Sequence, residues 1–322
     1  MRKLNDGWQN QISTSGGQIS GGNPPENTDV KANDTEEKYK LILFRVYEKR
    51  IEQIWKEFEE NNLKPILIKG WRAAQYYPKP HLRSIGDIDL AVSPEEFEKA
   101  AKLIKNLQER EVDLHRGLKH LDKASWEDIF SNSLRVKCGD TLIRVLRPED
   151  DLRVLCTHWL NDSGANKEKL WDLYYAFDRR SPDFDWGRFL DTAGAKRRVW
   201  FICAIGIAHK HLGLEIENTP IAEEAKHLPK WLTRTIEREW ESDVKFKYLH
   251  RSLNSPSEFF QQLKKRFPPN PVQATVEMEG DFDNKPRIVY QISNMFYRLM
   301  PSLKRFVRLA FWTPTDLAKN KK

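Results

Sequence analysis

Apolar residues recur at helical spacing through Leu41, Phe44, Tyr47, Ile51, Ile54, Trp55 and Phe58, which predicts an amphipathic helix ended by Asn61-Asn62. Pro65-Ile66-Leu67-Ile68 is short and continuously apolar, the pattern of a strand buried in a sheet. Gly70 breaks it, and residues 71–77 read as a short helix stopped by Pro78 and Pro80. Residues 85–92 predict a second strand. Ser93-Pro94-Glu95-Glu96 then starts a helix, with an N-cap hydroxyl, a proline at the first position and acids in the first turn; it runs to about Gln108. Residues 111–115 predict a third strand, and residues 134–146 a hairpin turning at Gly139-Asp140.

After Arg147-Pro148 the period changes. Pro148-Glu149-Asp150-Asp151 opens a helix carrying Leu152, Leu155, Cys156, Trp159 and Leu160, and helical patterns follow at 170–177, 197–211, 229–241, 257–265 and 287–309. Pro268-Pro269-Asn270-Pro271 and the acidic stretch 277–283 read as linker or long loop. Residues 1–36 are rich in Gly, Ser, Asn, Gln and Thr, interrupted by Pro24-Pro25, and hold too few apolar positions for a core; they read as a disordered tail. The order of elements predicts an α+β protein. A small mixed β-sheet occupies 37–147 as the catalytic domain, and a mainly helical domain with a basic C-terminal segment occupies 148–322.

Composition changes this picture in three ways. The net charge of +7 favours an anionic ligand, a nucleic acid or an acidic membrane surface without choosing among them. Cys138, Cys156 and Cys203 are far apart and lack metal spacing, which excludes a disulfide framework and fits a reducing cytoplasm. No apolar run approaches the length of a membrane span, and the first residues lack the apolar centre of a secretory signal.

Candidate chemistry concentrates in Gly86-Asp87-Ile88-Asp89-Leu90. Alternate side chains of a strand share a face, so Asp87 and Asp89 project together while Ile88 and Leu90 project oppositely. Two carboxylates side by side repel, and a divalent cation removes the conflict; oxygen-only ligands suit Mg²⁺ or Mn²⁺. Gly86 would let backbone and phosphate approach closely. Glu111-Val112-Asp113-Leu114-His115 offers a second set of acids on a strand expected to neighbour the first. Asp113 is the preferred third acid, as metal ligand or base, with Glu111 its rival and His115 on the same side. Lys69-Gly70 places a cation at the end of a buried strand just before a helix, suited to a triphosphate, and Arg83 lies within side-chain reach of the same mouth.

Leu67-Ile68-Lys69-Gly70, Tyr76-Tyr77-Pro78, Leu82-Arg83 and Gly86-Asp87-Ile88-Asp89-Leu90 together resemble a little-characterised bacterial family of nucleotidyltransferases in the DNA polymerase beta-like superfamily. Its members continue into a strand ending in Asp-x-His, supplied here by Asp113-Leu114-His115. The resemblance extends over residues 38–178, taking in His158 and Leu170-Trp171-Asp172-Leu173. Where the wider superfamily opens its first helix on Gly-Gly or Gly-Ser, Gly70 is followed by Trp71. The resemblance implies transfer of a nucleotide from an NTP to a hydroxyl acceptor with release of pyrophosphate. Asp87, Asp89 and Asp113 would then be the metal and catalytic residues, and Lys69, Gly70, Arg83 and Gly86 would hold the nucleotide.

Two other classes compete with that enzyme. One is a catalytically weak nucleotide- or nucleic-acid-binding module of the same fold, against which the intact acids at 87, 89 and 113 argue. The other is a membrane-surface or partner-docking protein. It rests on residues 295–312, where Phe296, Leu299, Leu303, Phe306, Leu309 and Ala310 alternate with Arg298, Lys304, Arg305 and Arg308; Pro301 interrupts the pattern, and a helix packed on the core is the favoured reading of it. The acceptor class stays open among a small molecule, a peptide and an RNA end.

Overall fold

The apolar stripe of residues 44–58 becomes one wall of a sheet. In the computed structural model, which describes residues 27–310 apart from 110, 119–120, 122–123, 243 and 245–254, helix α1 (Asn27–Glu60) buries Ile51, Ile54, Trp55 and Phe58. It begins well before the apolar pattern does. Residues such as Glu36, Glu37, Lys38 and Lys40 are good helix formers, and Lys40 pairs with Glu36 at 2.8 Å, so the helix propagates through polar sequence once its apolar half is anchored. Residues 27–36 of the expected tail are thus helical; residues 1–26 lie outside the described residues.

Five strands form one mixed sheet in the order β3-β2-β1-β5-β4: β1 (Ile66–Ile68), β2 (Ile88–Val92), β3 (Val112–Arg116), β4 (Leu134–Cys138) and β5 (Thr141–Val145). The wholly buried β1 is central, antiparallel to β2 and parallel to β5. β2 runs parallel to β3, with α3 (Phe97–Asn106) as the crossover, and β4 and β5 form the predicted hairpin. Leu67, Leu90 and Val145 turn to the α1 face. Ile66, Ile68 and Ala91 turn to the other face, which α4 (Trp126–Asn132) covers through Ile129. Between β1 and β2 the chain makes the short helix α2 (Gly70–Ala74) and a 3-10 turn at Pro80–Leu82.

The remainder is helical: α5 (Pro148–Asn161), α6 (Leu170–Asp178), α7 (Trp186–Leu190), α8 (Ala195–Leu212), α9 (Ala222–Lys226), α10 (Lys230–Trp240), α11 (Pro256–Arg266), α12 (Pro271–Glu277) and α13 (Ile288–Ala310). An α+β fold with a helical C-terminal region is therefore observed. α8 is buried almost all round, from Trp200 to Ala208, and α5, α6 and α7 pack on it through Leu155, Phe177 and Phe189. One expectation is corrected: a helix, α12, separates the two stretches read as linker. Asn270 caps it, its side chain accepting the Val272 N–H at 2.9 Å, and Pro271 occupies the first turn, so the proline cluster starts a helix here.

The sheet and the helices are joined by buried ion pairs. α5 opens with Glu149, Asp150 and Asp151, all buried at the positive end of the helix dipole. Asp151 accepts the Tyr76 hydroxyl at 2.9 Å and faces Arg72 of α2 at 3.3 Å, while burial pushes its carboxyl up to about 6. Cys138, Cys156 and Cys203 are buried and unpaired. Among the described residues, no helix is long and apolar enough to cross a membrane.

Candidate active site

The apolar layer on the α4 side of the sheet stops one row short of the end. Ile66 and Ala91 pair in one row; in the next, Ile68 is opposite Asp89, and Asp89 is opposite Asp113 on the parallel neighbour β3. Like charges directly opposite on adjacent strands repel. Two groups offset that repulsion. Lys69, the residue after β1, brings its Nζ to 2.6 Å from Asp89 Oδ1. His115 sits one pleat further along β3, its Nε2 3.2 Å from Asp89 Oδ1 and 3.2 Å from Asp113 Oδ2. Burial raises the Asp89 pKa, but the His115 hydrogen bond and the Lys69 charge outweigh it and hold the carboxyl below its ordinary range.

The backbone aims Lys69. It has φ 51°, uncommon for a residue with a side chain, and Gly70 follows at φ 24°. A Cβ on Gly70 would lie 3.2 Å from the Asp87 carbonyl oxygen, so the chain's close approach to the Asp87 peptide requires glycine. The same carbonyl accepts the Tyr47 hydroxyl from α1. Burial and the charges of Asp89 and Asp87 push the Tyr47 phenol far up, keeping it a neutral donor beside both acids.

The structure brings Lys69, Asp89, Asp113 and His115 together. The ligand atoms of Asp89, Asp113 and His115 lie within 4.8 Å of one another, a grouping that could hold a metal ion. Asp87 stands outside that grouping, exposed in the segment just before β2, because the strand starts at Ile88 rather than at residue 85. Gly86 is exposed, and a Cβ there would meet nothing within 4 Å. Arg83 is engaged elsewhere: its Nε and Nη2 grip the Asp172 carboxylate of α6 at 2.7 Å each, and Tyr77 donates to the same acid at 2.7 Å. Glu111 pairs with Arg50 of α1, away from Asp113.

Three contributors were given no site role in the sequence. Tyr47 is hidden within the apolar stripe of α1, where only its hydroxyl distinguishes it. His158, which the resemblance takes in without a role, is half-buried at the end of α5, 3.3 Å from Lys169 and 3.6 Å from Asp162. Burial pushes its pKa down to about 4; Asp162 opposes this, and the charges of Lys69 and Lys169 reinforce it. Lys169 in turn binds Asp162 at 3.0 Å. His158 thus lies within electrostatic reach of both Lys69 and Asp89.

Two acids face to face across parallel strands, with a lysine at the end of the adjoining strand, gather opposite charges in one partly open cluster. Residues 45–108 match the family described as uncharacterised nucleotidyltransferase. The match takes in Tyr47, Lys69, Gly70, Arg83, Gly86, Asp87 and Asp89, and it stops before Asp113 and His115. It supports nucleotidyl transfer as the general function. No curated protein matches the chain. Nor does any solved structure.

Proposed function

We propose that the Asp89 end of the sheet transfers a nucleotide from an NTP to a hydroxyl acceptor and releases pyrophosphate. The observation that carries this reading is the row in which Asp89 faces Asp113, with the Lys69 ammonium against Asp89. Carboxylate oxygens on two neighbouring strands suit Mg²⁺ or Mn²⁺; Asp89 and Asp113 would hold it, and Asp87 would join them by turning in from the exposed segment before β2. Such an ion, when bound, neutralises charge on the triphosphate oxygens. In the reaction the acceptor oxygen forms a bond to the α-phosphorus. The bond from that phosphorus to the oxygen bridging to the β-phosphate breaks, and its electron pair leaves with pyrophosphate. The acceptor proton passes to Asp113, which His115 orients.

Phosphoryl transfer asks the protein mainly for position and charge. Lys69 and Gly70 meet the phosphates, the lysine exchanging its contact with Asp89 for phosphate oxygen. Gly86, where a Cβ would meet nothing within 4 Å, leaves room for phosphate beside Asp87. Arg83 acts by positioning: its grip on Asp172 fixes the segment leading into Asp87 against α6. The acceptor is a small molecule, a peptide or an RNA end.

The test incubates purified protein with each α-labelled NTP, Mg²⁺ or Mn²⁺, and fractions containing each acceptor class. The expected result is a labelled acceptor with equimolar pyrophosphate, lost in Asp89→Asn. NTP binding with neither pyrophosphate nor labelled acceptor, under any metal, would replace the enzyme with a nucleotide-binding module.

A further inference from the structure

Helix α13 is mounted with its polar face inward. Arg287 and Asn294 are buried: Arg287 donates to the Lys285 carbonyl at 2.8 Å and pairs with Asp283, while Asn294 donates to Glu277 at 2.6 Å. Between them Gln291 donates to the Pro269 carbonyl at 2.7 Å, and one turn on Arg298 pairs with Glu277 at 2.6 Å. Positions 291, 294 and 298 share one helical face and reach Pro269 and Glu277, so the helix is tied to the body by hydrogen bonds and an ion pair. The opposite stripe, Ile288, Ile292, Phe296 and Leu299, is apolar and exposed, Phe296 by 59%. In the sequence the same spacing continues at Leu303, Phe306 and Ala310.

A surface helix ordinarily buries its apolar stripe against the core. Here the core side is held by polar contacts and the apolar side faces outward, which marks that stripe as a surface for a partner. Charge selects the partner. Beyond residue 299 the sequence carries Lys304, Arg305, Arg308, Lys319, Lys321 and Lys322 against the acid Asp316. A second copy would bring the same cations against one another. An anionic bilayer accepts both features, the apolar stripe at the acyl boundary and the cations at the phosphates.

We infer that α13 docks the protein on the surface of an anionic membrane, lying in the interface through Ile288, Ile292, Phe296 and Leu299. The test is sedimentation of the full chain with vesicles of phosphatidylcholine alone and of phosphatidylcholine mixed with phosphatidylglycerol. The protein pellets with the mixed vesicles, stays in solution with the neutral ones, and is released by salt. Phe296→Glu and Ile292→Glu each lower partitioning by about tenfold or more, since each places a charge where the apolar stripe enters the interface. Both positions are exposed, so thermal unfolding of the variants coincides with wild type. Absence of pelleting with the mixed vesicles would overturn the inference, as would equal pelleting of wild type and variants. A dimer seen by light scattering without lipid and dissociated by Phe296→Glu would overturn it in favour of a second copy.

Discussion

At the start of β2 the side chains that meet are Lys69, Asp89, Asp113 and His115, partly exposed and polar. Around α8 those that meet are Trp200, Phe189, Phe201 and Ile205, all sealed from water. The first cluster holds like charges in adjacent register, an arrangement that folding alone would not favour. The second maximises apolar burial. The two regions therefore respond oppositely to substitution: the sheet end loses activity at little cost in stability, and the helical core loses stability at little cost to the chemistry of each folded molecule.

The largest effect is expected in the core. Trp200→Ala removes a buried indole whose Nε1–H donates to the Gly280 carbonyl at 2.9 Å, and it should cost about 3–5 kcal/mol of unfolding free energy. Urea denaturation measures it, and a loss under about 1 kcal/mol would remove the contrast. Gly206 sharpens it. Gly→Ala within a helix ordinarily stabilises, but a Cβ here would lie 2.3 Å from the Ala225 carbonyl oxygen of α9. Gly206→Ala is expected to destabilise.

The next effect is on activity. Asp113→Ala should lower kcat at least a hundredfold, about 2.7 kcal/mol of transition-state stabilisation, while unfolding free energy stays within about 0.5 kcal/mol of wild type. Glu111→Ala should cost less than about tenfold, or 1.4 kcal/mol, because its carboxylate is committed to Arg50. Steady-state kinetics on the two variants decide the matter; the reverse ranking transfers the third-acid role to Glu111.

A third experiment addresses the joint between the regions. Arg83 and Asp172 form a two-point ion pair, both side chains largely buried, linking the approach to β2 with α6. Arg83→Ala, Asp172→Ala and the double variant should give a coupling of about 1–3 kcal/mol in unfolding free energy. Either single change leaves a charge without its partner, so each costs more than the pair is worth. Additive effects would mean that this pair does not couple the two halves.

Much of the frame was legible because it follows from period. The β4–β5 hairpin, the helix after Ser93-Pro94 and the strand carrying Asp113 and His115 appear close to where alternation and capping residues put them. The neighbourhood of Asp89 and Asp113 was legible as well, since both lie on strands expected to adjoin. Their parallel pairing was not, because direction depends on where α3 crosses. Short helices such as α4, α7, α9 and α12 were missed, being too short to show a repeating stripe. The partners of Arg83, Glu111 and Tyr47 were hidden for another reason. Each contact joins residues tens of positions apart, and only the folded chain decides which acid an arginine meets.

The smallest expected effect tests whether the helical half senses the charges of the site. Burial, opposed by the charges of Asp162 and Asp89 and reinforced by those of Lys69 and Lys169, pushes the His158 pKa down to about 4, whereas an unfolded histidine titrates near 6.5. Between these values the unfolded chain binds a proton that the folded chain refuses, so this contribution to stability is complete above about pH 6.5 and is lost as pH falls towards 4. His158→Gln removes that dependence. The difference in unfolding free energy between wild type and variant should shrink as pH falls through this window and level off below it. A third of the side chain is exposed, so solvent screens the effect and makes it the smallest of the series. Lys69→Met sharpens the test: loss of the lysine charge should raise the His158 pKa, read from its ring proton shifts. An unmoved titration would show that α5 and the Asp89 cluster are electrostatically independent.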